Sequence, residues 1–167
     1  MAKFRAKEVS DLVRPVPLTV GNETFVVFLR HITRHQDQAL IRAASHKVLN
    51  RRSGKMEDET DGEVYSRLYC EQVFGELEEA GQKKTGWEGL TPTILNQLVE
   101  FDDGTAPKPV MDKGTDGRER EVIAYDPELA QFLWFNARPA DFADPIFNNS
   151  QRMLELAEAE RAARRKN

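Results

Sequence analysis

Apolar and β-branched residues crowd the stretch VPLTVGNETFVVFLRHIT, near the start of the chain. Two β-rich runs, Val16–Val20 and Thr24–Ile32, flank Gly21-Asn22-Glu23, whose residues tolerate a left-handed backbone, and the pattern predicts a hairpin. Pro17 suits a strand start or edge, because it has no N–H for a ladder. FVVFL is too apolar to face water on either side, so the second strand needs cover.

Helical spacing follows. Ala39, Leu40, Ala43, Ala44, Val48 and Leu49 recur at threes and fours and predict one helix, with a solvated loop over 50–62. From Glu63, Val64, Leu68, Val73 and Leu77, flanked by Tyr65, Tyr69 and Phe74, predict a second helix that runs into the polar end EEAGQKKTG. Thr91 as N-cap and Pro92 at the first helical position open a third, striped by Ile94, Leu95, Leu98 and Val99. The intervening GWEGL is then a connector. Trp87 packs over both helix ends while Gly86 and Gly89 let the backbone turn.

Residues 102–120 are rich in Gly, Pro and Asp and predict a mobile exposed loop or a loose hairpin, with EVIAY as a short strand. Asp126-Pro127 starts another helix, Arg138-Pro139 breaks it, and a last helix begins near Pro145 or Ser150. Its apolar positions thin out after Leu156. The expected fold is α+β but mainly α: an N-terminal β-hairpin followed by four or five helices. Residues 1–156 form one globular domain, and 157–167 an exposed polar helix end.

Composition changes this picture little. Of 167 residues, 40% are hydrophobic and 31% charged, enough for a modest core. The net charge of −4 argues against a general nucleic-acid binder, since neutralising phosphates needs a basic excess. The basic end RAARRKN reads as a solvated terminus that complements the helix dipole. Cys70 is the single cysteine, so an intrachain disulfide is excluded and a reducing, cytoplasmic setting is expected. No apolar run suggests a membrane span or signal peptide.

Candidate chemistry is sparse. His31 and His35 stand four apart, but no H-E-x-x-H follows, and His31, His35 and His46 read as exposed or capping histidines. DDGT and DKGTDG lack the ligand spacing and closing glutamate of a calcium loop. No phosphate-binding glycine loop and no nucleophile elbow occurs. Cys70 falls on the apolar flank of a helix, as a structural thiol would. Neither a catalytic constellation, a metal site nor a cofactor is expected, and the chain does not read as an enzyme.

The order of VPLTVGNETFVV, GWEGL, VIAYDPELAQFLW and FADPIFNNSQRM resembles the tail assembly chaperones of long-tailed bacteriophages and prophages. The residues that carry the resemblance are Trp87, Gly89, Leu90, Tyr125, Glu128, Leu133 and Phe147. One departure is that Thr91–Glu121 place a helix and a polar loop between the tryptophan step and the tyrosine helix. The resemblance implies a non-catalytic protein that coats the helical tape-measure protein, keeps it soluble and helps recruit tail-tube subunits. A homo-oligomer is compatible with it, and a membrane or nucleic-acid partner is not implied.

Such a task needs a surface for amphipathic helices, for which aromatics are well suited. Phe132, Trp134, Phe135, Phe142 and Phe147 are the partner-binding candidates. Phe132-Leu133-Trp134-Phe135 is a run of four bulky residues, more than one helix face hides. A structural virion component, such as a tail or head-completion subunit, or a small regulatory adaptor are the alternatives.

Overall fold

The computed structural model describes residues 12–114 and 117–166. Its first element is the expected hairpin: β1 (Val13–Val20) pairs antiparallel with β2 (Glu23–Arg30), Val16 opposite Val27 and Leu18 opposite Phe25. Gly21, at φ +61°, takes the first place of the two-residue turn, where a left-handed residue lets the strands twist together. Leu18, Val20, Phe25, Val27 and Leu29 are buried, and this hairpin is the floor of the core.

Helix α1 (Arg34–Ala43) starts at a capping box, in which the Thr33 hydroxyl accepts from Gln36 N–H and the Gln36 side chain accepts from Thr33 N–H. It is shorter than its apolar stripe. Only Leu40 and Ala44 of that stripe are buried, and Val48 and Leu49 belong to a strand, β3 (Ser45–Leu49), paired with β4 (Met56–Thr60). The solvated loop expected over 50–62 is thus half strand. The physical reason is closure: Ala44 C=O accepts from Asp61 N–H at 2.9 Å, so the chain leaves α1 and returns to the same point as a hairpin.

Asp61 then caps α2 (Gly62–Val73), which also ends before its expected limit. Phe74 bridges Leu29, and Gly75 N–H donates to Phe28 C=O at 2.9 Å, so the chain turns extended along β2. Glu76–Glu79 (β5) and Gln82–Thr85 (β6) form a hairpin around Ala80 and Gly81, both at positive φ, in the twist-matched two-residue turn. Glu78 stands opposite Lys83 in the register, whereas the same alternation of charges on a sequence reads equally as a helix end.

The chain re-enters the main sheet as β7 (Trp87–Glu88), paired antiparallel with β2. GWEGL is therefore an edge strand and its exit, where a link between two helices was expected. Helix α3 (Pro92–Leu98) follows with Thr91 accepting from Ile94 N–H, as its cap and proline predict. Within 102–120 and beyond, β8 (Val110–Lys113) pairs with β9 (Glu119–Val122). Helix α4 (Pro127–Asn136) is capped by Asp126, a 3-10 turn spans Pro139–Asp141, and α5 (Ala143–Lys166) closes the chain. α5 begins earlier than Pro145 because the 3-10 turn feeds it directly.

The architecture is one three-stranded sheet, β1-β2-β7, with helices on it, and three two-stranded hairpins around it. Among the described residues there are five helices and nine strands, 43% helical and 30% strand, so the fold is α+β and not mainly α. The expectation of a helix-dominated chain fails because a polar hairpin has no hydrophobic period to tell it from a helix end or a loop. Among the described residues, no helix is long and apolar enough to cross a membrane.

Candidate functional site

Trp87 sits at 6% exposure on the sheet edge, its indole N–H donating to Ile123 C=O at 2.8 Å. Its ring meets Tyr125 edge-on at 4.9 Å and Phe74, the residue that ends α2, at 6.1 Å. Trp87 thus locks the α2 exit to the segment entering α4. Gly86 beside it, at φ +75°, lies under the Tyr125 ring, where a Cβ would come within 2.0 Å of a ring carbon. Gly89, at φ +76°, turns the chain out of the strand with open space around it. The expected wedge exists, but it joins a sheet edge to a helix.

The aromatic set expected to meet a partner divides by burial. Leu133 is fully buried and Trp134 lies in the core, tilted against Tyr69 and edge-on to Phe142. Phe142 is wholly enclosed, and Phe147 is half-buried against Tyr69 at 4.8 Å. Phe132 and Phe135, three apart on α4, face outward at 37% and 46% exposure. Phe132 stacks on Phe101 at 5.4 Å and 26°, which fixes its ring. One side of α4 fills the core and the other carries a two-ring apolar ledge, as four consecutive bulky residues on a helix require.

Behind the ledge lies a polar cluster absent from the sequence reading. His31, expected to be exposed or capping, is 5% exposed, with Nδ1 2.7 Å from the Ser150 carbonyl, and Ile32 N–H donates to the same carbonyl. A carbonyl partner makes Nδ1 the protonated ring nitrogen. Ser150 Oγ donates to Phe147 C=O at 2.9 Å, which leaves the Tyr69 hydroxyl to donate to Ser150 Oγ. Burial pushes the Tyr69 hydroxyl up to about 12. The histidine addresses a backbone carbonyl and not the serine hydroxyl, and both side chains are sealed from solvent, so the cluster ties β2 to α2 and α5. The faint sequence signal was a serine between Ile146 and Met153 on the buried face of the last helix.

Other chemistry is equally structural. Burial pushes the Cys70 thiol up to about 12, so it stays protonated at neutral pH, as a buried structural thiol does. The Tyr65 hydroxyl is raised further, by burial and by donating to the Asp37 carboxylate, a contact that joins α2 to α1. Among the described residues, no group of three His, Cys, Asp or Glu is placed to hold a metal ion. Compared with family models, curated proteins and solved structures, the chain matches none of them.

Proposed function

We propose that this chain is a non-catalytic tail assembly chaperone of a long-tailed phage or prophage, acting in the host cytoplasm. It holds an amphipathic helical segment of the tape-measure protein on the outer side of α4 and assists addition of tail-tube subunits. The observation that carries the reading is the ledge of Phe132 and Phe135, two exposed rings one helical turn apart on a helix whose other side is anchored in the core. A rigid, pre-positioned aromatic pair buries area with little ordering of its own, which suits a helix-in-groove partner. Trp134, Phe142 and Phe147 serve that surface from beneath.

The test is a binding titration with overlapping tape-measure fragments. Phe132→Ser combined with Phe135→Ser is expected to weaken binding at least about tenfold, in the range of a lost aromatic anchor, with the thermal midpoint nearly kept. Trp134→Ser is expected to unfold the protein. Wild-type affinity in the double variant refutes the ledge as the contact.

A further inference from the structure

The edge of the main sheet opposite β1 is open. β2 takes one side of β7, and among the described residues no strand pairs with the other. Phe28 N–H donates to Gly86 C=O at 2.8 Å, so the Gly86 backbone points to β2, and antiparallel alternation turns the Trp87 backbone away from it. That free edge opens on a cleft of about 630 Å³ between the β5–β6 and β8–β9 hairpins. Residues 82–85 line it on one side and 110–114 on the other, where residues 122–124 also reach it. The cleft is bordered by β6, β7 and β8, each with one edge that no strand takes among the described residues, and a free edge presents backbone donors and acceptors.

Charge selects among ligands. Three lysines, Lys83, Lys84 and Lys113, line the cleft with Glu88 and Asp112. Lys84 is already held by Glu88 at 3.1 Å and Glu79 at 3.8 Å. Lys83 and Lys113, one on each wall, form no ion pair among the described residues. Exposed Val110 and Met111 add an apolar strip beside them. A nucleic acid carries a phosphate at every nucleotide and would set some against Glu88 and Asp112, whereas an extended peptide can place carboxylates at the lysines and neutral residues beside those two.

We propose that this cleft takes an extended, acidic segment of a partner protein as an added strand along β7, its carboxylates meeting Lys83 and Lys113. Strand addition draws affinity from main-chain hydrogen bonds and selectivity from the side chains on the walls. The inference is independent of the tail-assembly reading, which concerns a helix on α4.

The probe is an acetylated, amidated heptapeptide of alternating Glu and Val, titrated into isotope-labelled protein and followed by backbone amide shifts. Perturbation is expected at Trp87, Gly89, Lys83 and Lys113. Lys83→Glu with Lys113→Glu, both on exposed hairpins, is expected to weaken binding about tenfold or more. The same peptide N-methylated at alternate residues, with its charges intact but its strand donors removed, is expected not to bind. The proposal is overturned by absence of binding, by equal binding of the N-methylated peptide, or by indifference to the charge reversal. It is also overturned if an oligothymidine strand displaces the peptide, or if the cleft amides shift with protein concentration alone, which would make the occupant a second copy.

Discussion

Two hairpins in this chain have the same local form and opposite energetics. β1–β2 places Leu18, Val20, Phe25, Val27 and Leu29 in the core. β3–β4 buries no side chain at all, and its cross-strand apolar pair, Leu49 and Met56, is 56% and 58% exposed. Surface contacts hold it instead: Lys47 to Asp58 at 2.8 Å, Asn50 to Glu57 at 2.9 Å and Ser45 to Thr60 at 3.0 Å. Such exposed pairs contribute little each, and an isolated two-stranded ribbon is marginal in water. The second hairpin persists because its base is fastened at Ala44 and Asp61. Burial, more than pairing, decides which β structure carries the fold.

That contrast breaks most visibly at the sheet edge. Trp87→Ala removes a buried ring, its hydrogen bond and two edge-on aromatic contacts, and is expected to lower stability by about 3–5 kcal/mol in denaturant titration. A loss below about 1 kcal/mol would place β7 with the satellite hairpins. Gly86→Ala comes next, at about 2–4 kcal/mol, because an L-residue at φ +75° is strained and its Cβ drives into Tyr125. Thermal midpoints of this variant and of Gly54→Ala, which meets nothing within 4 Å, separate the clash from the backbone strain.

Alkali sharpens the comparison further. Cys70 is raised from 9.0 to about 12 in the fold and Tyr69 from 10.0 to about 12, so the folded state keeps protons that the unfolded chain releases. Their contribution is complete below pH 9 and declines as pH rises toward 12, by up to about 1.4 kcal/mol per pH unit for each group in its window. Unfolding free energies measured between pH 8 and 11 are expected to fall with that onset, and a chromogenic thiol reagent to reach Cys70 only on unfolding. A flat profile, or prompt labelling at pH 8, would contradict the sealed core.

Smaller effects follow. Tyr69→Phe removes the hydroxyl that donates to Ser150 and is expected to cost about 1 kcal/mol by calorimetry. Smallest of all, Leu49→Ser with Met56→Ser should change stability by no more than about 0.5 kcal/mol, as surface substitutions do. A drop of several kcal/mol there would show that β3–β4 is covered in solution.

The elements legible in the chain alone lie where local chemistry is self-sufficient. Thr91-Pro92 and Asp126-Pro127 started helices because cap and proline act within one turn, and Gly21-Asn22 set the first hairpin because a turn and two apolar strands are local facts. The burial of Trp87 and Cys70 was legible from their apolar surroundings, and the presence of an outward ring in FLWF from helix geometry alone. Which of those rings faces out was decided by α2 and by the turn that leads into α5, whose Tyr69 and Phe142 receive Trp134 and leave Phe132 and Phe135 outside. The tertiary structure also decided that Trp87 is a strand, since its partner Val27 lies 60 residues away and nothing nearby announces it. His31 was sealed in the same way by Ser150, 119 residues on. The polar hairpins were illegible for a related reason: with both faces in water they carry no hydrophobic period, and their identity rests on cross-strand hydrogen bonds that only the folded chain closes.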